Sequence, residues 1–143
     1  MKNLLILLTF ALLTFGIYAH LNQPMEAPAW PARIPGFAFS PFQAGQSPID
    51  DRYPAREDIE ADLNLLSGSV FALRTYTVSG VFADISRLAG KYGMNLALGA
   101  WLDGDGEANK KELQRLIEVV ETPPYNVVRV IAGNEALLRE DVT

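Results

Sequence analysis

From Gly36 onward the chain alternates short apolar runs with stretches that carry apolar residues at helical spacing, and no other feature narrows its fold as much. GFAFSPF at 36–42 is an apolar strand closed by Pro41. PAREDIEADLNLL then sets Ile59, Leu63 and Leu66 on one face of a helix, with Pro54 suited to its first turn. VFALRTY at 70–76 is a second strand. Val81, Phe82, Ile85, Leu88, Ala89 and Tyr92 stripe a second helix, which Gly93 stops. MNLALGAWL at 94–102 is a third strand, and 107–121 is a third helix with Leu113, Leu116, Ile117 and Val120 turned inward. The β-branched run at 126–131 is a fourth, buried strand, and Glu135 opens a fourth helix. Strands that are apolar almost throughout, each followed by a helix, imply an α/β fold with a parallel sheet under a helical layer. The doubly wound sheet and the (β/α) barrel both satisfy that pattern.

The strand ends bear on the choice. FSPFQAGQSP, after the first strand, is not the glycine-rich phosphate loop of a dinucleotide fold. Polar and aromatic side chains collect instead after every strand: Ser40, Phe42 and Gln43, then Arg74 and Tyr76, then Trp101 and Asp103, then Asn134 and Glu135. Barrel enzymes build their sites from such positions. The pair in AGNEALLRED has two readings. Asn134 is the N-cap of a helix with Glu135 in its first turn, or Glu135 is a catalytic carboxyl at a barrel mouth. Trp101 is a sugar-stacking platform or core packing; Arg74 lines a cleft or is a structural ion-pair partner. Asp103 and Asp105 lie in DGDG, a turn before a helix, and DGDGE lacks the spacing of a calcium loop.

The bulk numbers exclude other classes. A net charge of −5 without any dense Lys/Arg cluster argues against a nucleic-acid partner. No cysteine is present, which rules out disulfides and thiolate metal sites. In MKNLLILLTFALLTFGIYAH a single Lys2 precedes an uncharged stretch from Leu4 to Ala19, the pattern of a signal peptide or of an N-terminal membrane anchor through residues 4–20. The next cation is Arg33, so charge bias sends the rest of the chain out of the cytoplasm. Prolines at 24, 28, 31 and 35 make 21–35 an extended linker ahead of a domain at 36–143.

FAFSPFQAGQSP, ALRTY, LALGAWL and AGNEALLRED, in that order and spacing over 36–143, resemble the bacterial branch of glycoside hydrolase family 17. That branch contains β-1,3-glucanases and glucanosyltransferases linked to β-glucan synthesis. The resemblance implies a retaining enzyme on an eight-stranded (β/α) TIM barrel. This chain would supply the first, incomplete half: four strands, three helices and the start of a fourth. It makes Glu135 the general acid/base and Asn134 the partner of the sugar 2-hydroxyl. Arg74, Tyr76, Trp101 and Phe42 would line the cleft. Retention needs a second carboxylate about 5–5.5 Å away, which the family carries after the seventh strand, so no residue of this chain is the nucleophile. The chain alone is therefore expected to be inactive toward its β-glucan partner, polysaccharide or oligosaccharide, and to need no metal or other cofactor. Its expected location is the periplasmic face of the inner membrane, or outside the cell if the leader is cleaved. The alternative is a non-catalytic, membrane-anchored glucan-binding module, and a third reading is a scaffold whose Asn-Glu pair only caps a helix.

Overall fold

The computed structural model describes residues 2–141, and the chain divides into two compact units after Trp30. In the first unit, α1 (Lys2–Leu21) is exposed along its whole length and has a mean hydropathy of 2.1. At 1.5 Å per residue it is long and apolar enough to cross a bilayer, although a signal sequence meets the same description.

The second unit holds β1 (Phe37–Ala38), α2 (Arg56–Leu66), β2 (Ala72–Arg74), α3 (Ile85–Lys91), β3 (Asn95–Ala100), α4 (Gly106–Val120) and β4 (Val127–Ala132). The four strands are parallel and ordered as in the chain, each βα unit beside the last. That sequential order is the wall of a (β/α) barrel, and a doubly wound sheet, which reverses its strand order, is excluded. Register explains the alternation of faces. Leu73 pairs with Leu96 and Leu98 with Val130, a row that faces the helices; Arg74, Ala97 and Arg129 form a row on the opposite face. The core lies between strands and helices, where Ile59 and Leu63 of α2 and Leu88 of α3 meet Leu73, Leu96 and Leu98. Removing such side chains from water is the main stabilising term.

Local chemistry sets the boundaries. Pro35 cannot donate to the ladder, so the chain pairs once at Ile34 with Val70 and then resumes at Phe37, which leaves β1 only two residues long. Pro54 stands outside α2, whose first residue is Arg56; the Asp58 side chain accepts from the Ala55 N–H at 3.2 Å. The second helix opens as a 3-10 turn, Gly80–Asp84, and ends at Gly93, whose φ of 67° is the left-handed stop expected of it. Lys91 donates to Glu60 at 2.7 Å, tying α3 to α2 and holding the Glu60 carboxyl below its ordinary range. This tie is fully present at neutral pH and is lost as pH falls through that lowered pKa.

Three expectations are corrected. Ile117 is 57 % exposed, because it lies about 100° round α4 from Leu116, the residue that meets the core. β4 is not a buried strand: Val128 is 66 % exposed, since β4 is the sheet's edge and nothing among the described residues covers its helix-side face. The helix expected from Glu135 is not formed within 134–141, which make successive turns with one bond of helical span, Arg139 N–H to the Glu135 carbonyl at 2.9 Å.

At the N-terminal end of β4, buried Asn126 accepts from the Ser86 hydroxyl and donates to the Ser86 and Met94 carbonyls at 2.9–3.0 Å. Asn126→Ala orphans these groups and is expected to cost about 2 kcal/mol, read as a lower urea midpoint at unchanged slope.

Candidate functional site

Beyond the last ladder bond, side chains from the strand ends gather. The β3–β4 ladder closes with the Gly133 N–H on the Ala100 carbonyl at 2.9 Å. Gly133 then takes a φ of 80° and Glu135 one of 56°. Glycine adopts that region freely, whereas a glutamate there is held by its surroundings at a cost of about 1–2 kcal/mol. The Glu135 side chain is exposed. The capping reading of the pair is therefore overturned: Glu135 is not in a first turn, and the Asn134 side chain is committed elsewhere.

That commitment spans the sheet. Asn134 Oδ1 accepts from Arg74 Nη2 at 2.9 Å, so the end of β2 reaches across β3 to the residue after β4. Arg74 also sits over the Tyr76 ring at 5.0 Å, and among the described residues its buried Nε–H meets no acceptor. Its partner is a neutral amide, which corrects the ion-pair alternative. Gly99 makes the approach of β2 and β3 possible. A Cβ on Gly99 would stand 2.3 Å from the Thr75 carbonyl oxygen and 2.8 Å from Tyr76 Cα.

Trp101 is 39 % exposed and outside the buried core, so it is not core packing. The Arg139 guanidinium covers one of its faces at 4.2 Å. Arg139 also donates to the Leu102 carbonyl at 2.8 Å, to the Asn134 carbonyl, and to Asp141 at 2.6 Å. Phe42 lies apart from this group. It packs on Phe82 at 5.5 Å and Tyr53 at 6.2 Å, and shares a small cleft with Tyr76 between the ends of β1 and β2. Asp103 and Asp105 serve the backbone: Asp105 caps α4 through the Glu107 and Ala108 N–H groups, and Asp103 accepts from the Asp105 N–H at 2.8 Å.

Two residues at this end escaped the sequence reading. Arg139 lay in a segment expected to be helical. Glu112 of α4 was not singled out from the sequence, yet it is 6 % exposed and accepts four hydrogen bonds. The available signal was its position four residues before buried Leu116, on the stripe that faces the sheet.

No family model and no curated protein matches this sequence. Two solved structures do. One is a glycoside hydrolase family 17 β-1,3-glucanosyltransferase from Rhizomucor miehei, and the other is an active-site mutant of Rhizomucor miehei β-1,3-glucanosyltransferase in complex with laminaritriose. Each is 23% identical to this chain with a TM-score of 0.61, over 77% of this chain and 40% of the neighbour. This chain thus spans less than half the length of those enzymes. The likeness establishes the fold: four consecutive strands and their helices form an arc of the (β/α)8 barrel.

Proposed function

We propose that this chain is the N-terminal half of a retaining β-1,3-glucan hydrolase or transglycosylase of glycoside hydrolase family 17, in its bacterial branch. Residues 1–20 would be its signal or membrane anchor, 21–35 its linker and 36–143 its partial barrel. The observation that carries the reading is the pair after β4. Glu135 is held at φ 56° with an exposed side chain, and Asn134 is fixed by Arg74 from β2. The laminaritriose bound by one structural neighbour supports β-1,3-glucan as the ligand class.

In this reading Glu135 protonates the departing glycosidic oxygen and then takes a proton from the incoming water or sugar hydroxyl. Asn134 bonds the 2-hydroxyl, and Arg74 keeps its amide turned to do so. Trp101 offers its free face to a glucose ring, and Tyr76 and Phe42 line the cleft toward β1. The nucleophilic carboxylate, needed about 5–5.5 Å from Glu135, would come from the other half. The apolar helix α1, which opens on Lys2, supports export, with the barrel facing the periplasm or released.

The test is calorimetry and turnover with the full chain in detergent. Laminaritriose is expected to bind, Trp101→Ala to weaken it about ten-fold, or ~1.4 kcal/mol, and laminarin to remain uncleaved. Absence of binding overturns the glucan reading. Cleavage that disappears in Glu135→Gln overturns the assignment of the chain as half a site.

A further inference from the structure

We infer that Glu112 is a positioning residue that sets the Trp101 platform and locks the 77–79 loop beside it; as a statement about glucan binding this rests on the function proposed above. One carboxylate oxygen, Oε1, accepts from the Thr77 hydroxyl at 2.6 Å, the Val78 N–H at 2.8 Å and the Trp101 N–H at 3.1 Å. The other, Oε2, accepts from the Ser79 hydroxyl at 2.7 Å. Thr77 in turn accepts the Ser79 N–H at 3.0 Å, so three consecutive loop residues close around one side chain.

The placement matters more than the number of bonds. A carboxylate at this depth is costly unless its lone pairs are filled, and here all four donors belong to the ends of β2 and β3, where the candidate site lies. Only the Val78 N–H comes from a core residue; the Thr77 and Ser79 hydroxyls and the Trp101 N–H do not. The Trp101 N–H is the first backbone donor after β3 ends at Ala100, so its direction determines where the indole stands. Without Glu112 that amide and the Val78 amide would lack their acceptor, and the loop would have to open to find water. α4 itself is anchored independently, by Leu116 in the core and by its Asp105 cap, so helix and clamp are separable.

The isostere separates geometry from charge. In Glu112→Gln the amide oxygen, with two lone pairs, can still accept the Val78 and Trp101 N–H groups, and its NH2 can donate to the Ser79 hydroxyl; Glu112→Ala removes the whole clamp. The experiment uses the full chain in detergent with Trp30→Phe, which leaves Trp101 as the sole indole. Acrylamide quenching and laminaritriose affinity are measured well below the melting transition. Glu112→Ala is expected to at least double the quenching constant and to weaken affinity about ten-fold, as for a lost oriented contact, while Glu112→Gln restores both. Asn126→Ala, a comparable loss of stability at the opposite end of the sheet, leaves both readouts unchanged.

Unchanged quenching in Glu112→Ala, or an equal rise in Asn126→Ala, overturns the inference. If Glu112→Ala does not fold, Glu112→Asp, one methylene short of the Trp101 N–H, replaces it with the same expectation. A wild-type chain that binds no laminaritriose overturns the glucan reading instead, and quenching alone then decides whether the clamp exists.

Discussion

Glu135→Gln, made in an eight-stranded barrel that contains this chain, is expected to lower laminarin turnover by about a hundred- to ten-thousand-fold, the range of a lost general acid/base. Gln keeps the size of the side chain and can still hydrogen-bond the glycosidic oxygen, so laminaritriose affinity should change little. What it cannot do is release a proton. An aryl β-glucoside tests this directly, because a phenolate departs without protonation. Its cleavage step should fall far less than that of laminarin, and added azide should restore breakdown of the glycosyl-enzyme. Equal losses on both substrates, with no effect of azide, would remove Glu135 from the acid/base role. An unchanged rate would leave Asn134-Glu135 without any part in catalysis.

Gly99→Ala is expected to be the most damaging single methyl in the chain, costing about 3 kcal/mol or more. The new Cβ would meet the Thr75 carbonyl oxygen at 2.3 Å and Tyr76 Cα at 2.8 Å, and both are backbone. No rotamer can relieve that contact, so β2 and β3 must separate, and Arg74 and Tyr76 move with them. Gly104→Ala is the control: nothing lies within 4 Å of its Cβ, and the effect should stay within about 0.5 kcal/mol. Urea unfolding of the two variants side by side checks the difference. Similar midpoints would mean that the approach of the Thr75–Tyr76 backbone to Gly99 is not tight.

The parts of the fold that were legible from sequence are those fixed by local periodicity. Ile59 and Leu63 fall on one helical face, Leu96 and Leu98 on one strand face, and Gly93 stands where a helix must stop, so the alternation and order of elements follow. The exposure of β4 does not, because Val128 and Val130 have the composition of a covered strand, and only the neighbours of an edge decide whether they are covered. The same gap hid the turn at 134–141: helix propensity favours ALLRE, but Arg139 is drawn back onto Trp101 and the Asn134 carbonyl, a tertiary pull that no local pattern records. At the candidate site, strand-end placement marked Arg74, Trp101 and Asn134. It could not mark Glu112, whose role depends on donors from two strand ends that meet only when the sheet forms.

Arg139 fastens together two things that a barrel usually keeps on separate loops. One guanidinium rests on the Trp101 ring, grips the Leu102 carbonyl and holds the carbonyl of Asn134, the residue before Glu135. The indole and the peptide that carries the carboxylate therefore share a single hinge pin. A ligand that tilts the ring shifts the peptide, and a change in the peptide is transmitted to the ring. Under the function proposed above, affinity and proton transfer would be adjusted together across that joint. Arg139→Lys, which keeps the charge but not the three-way grip, would loosen both together.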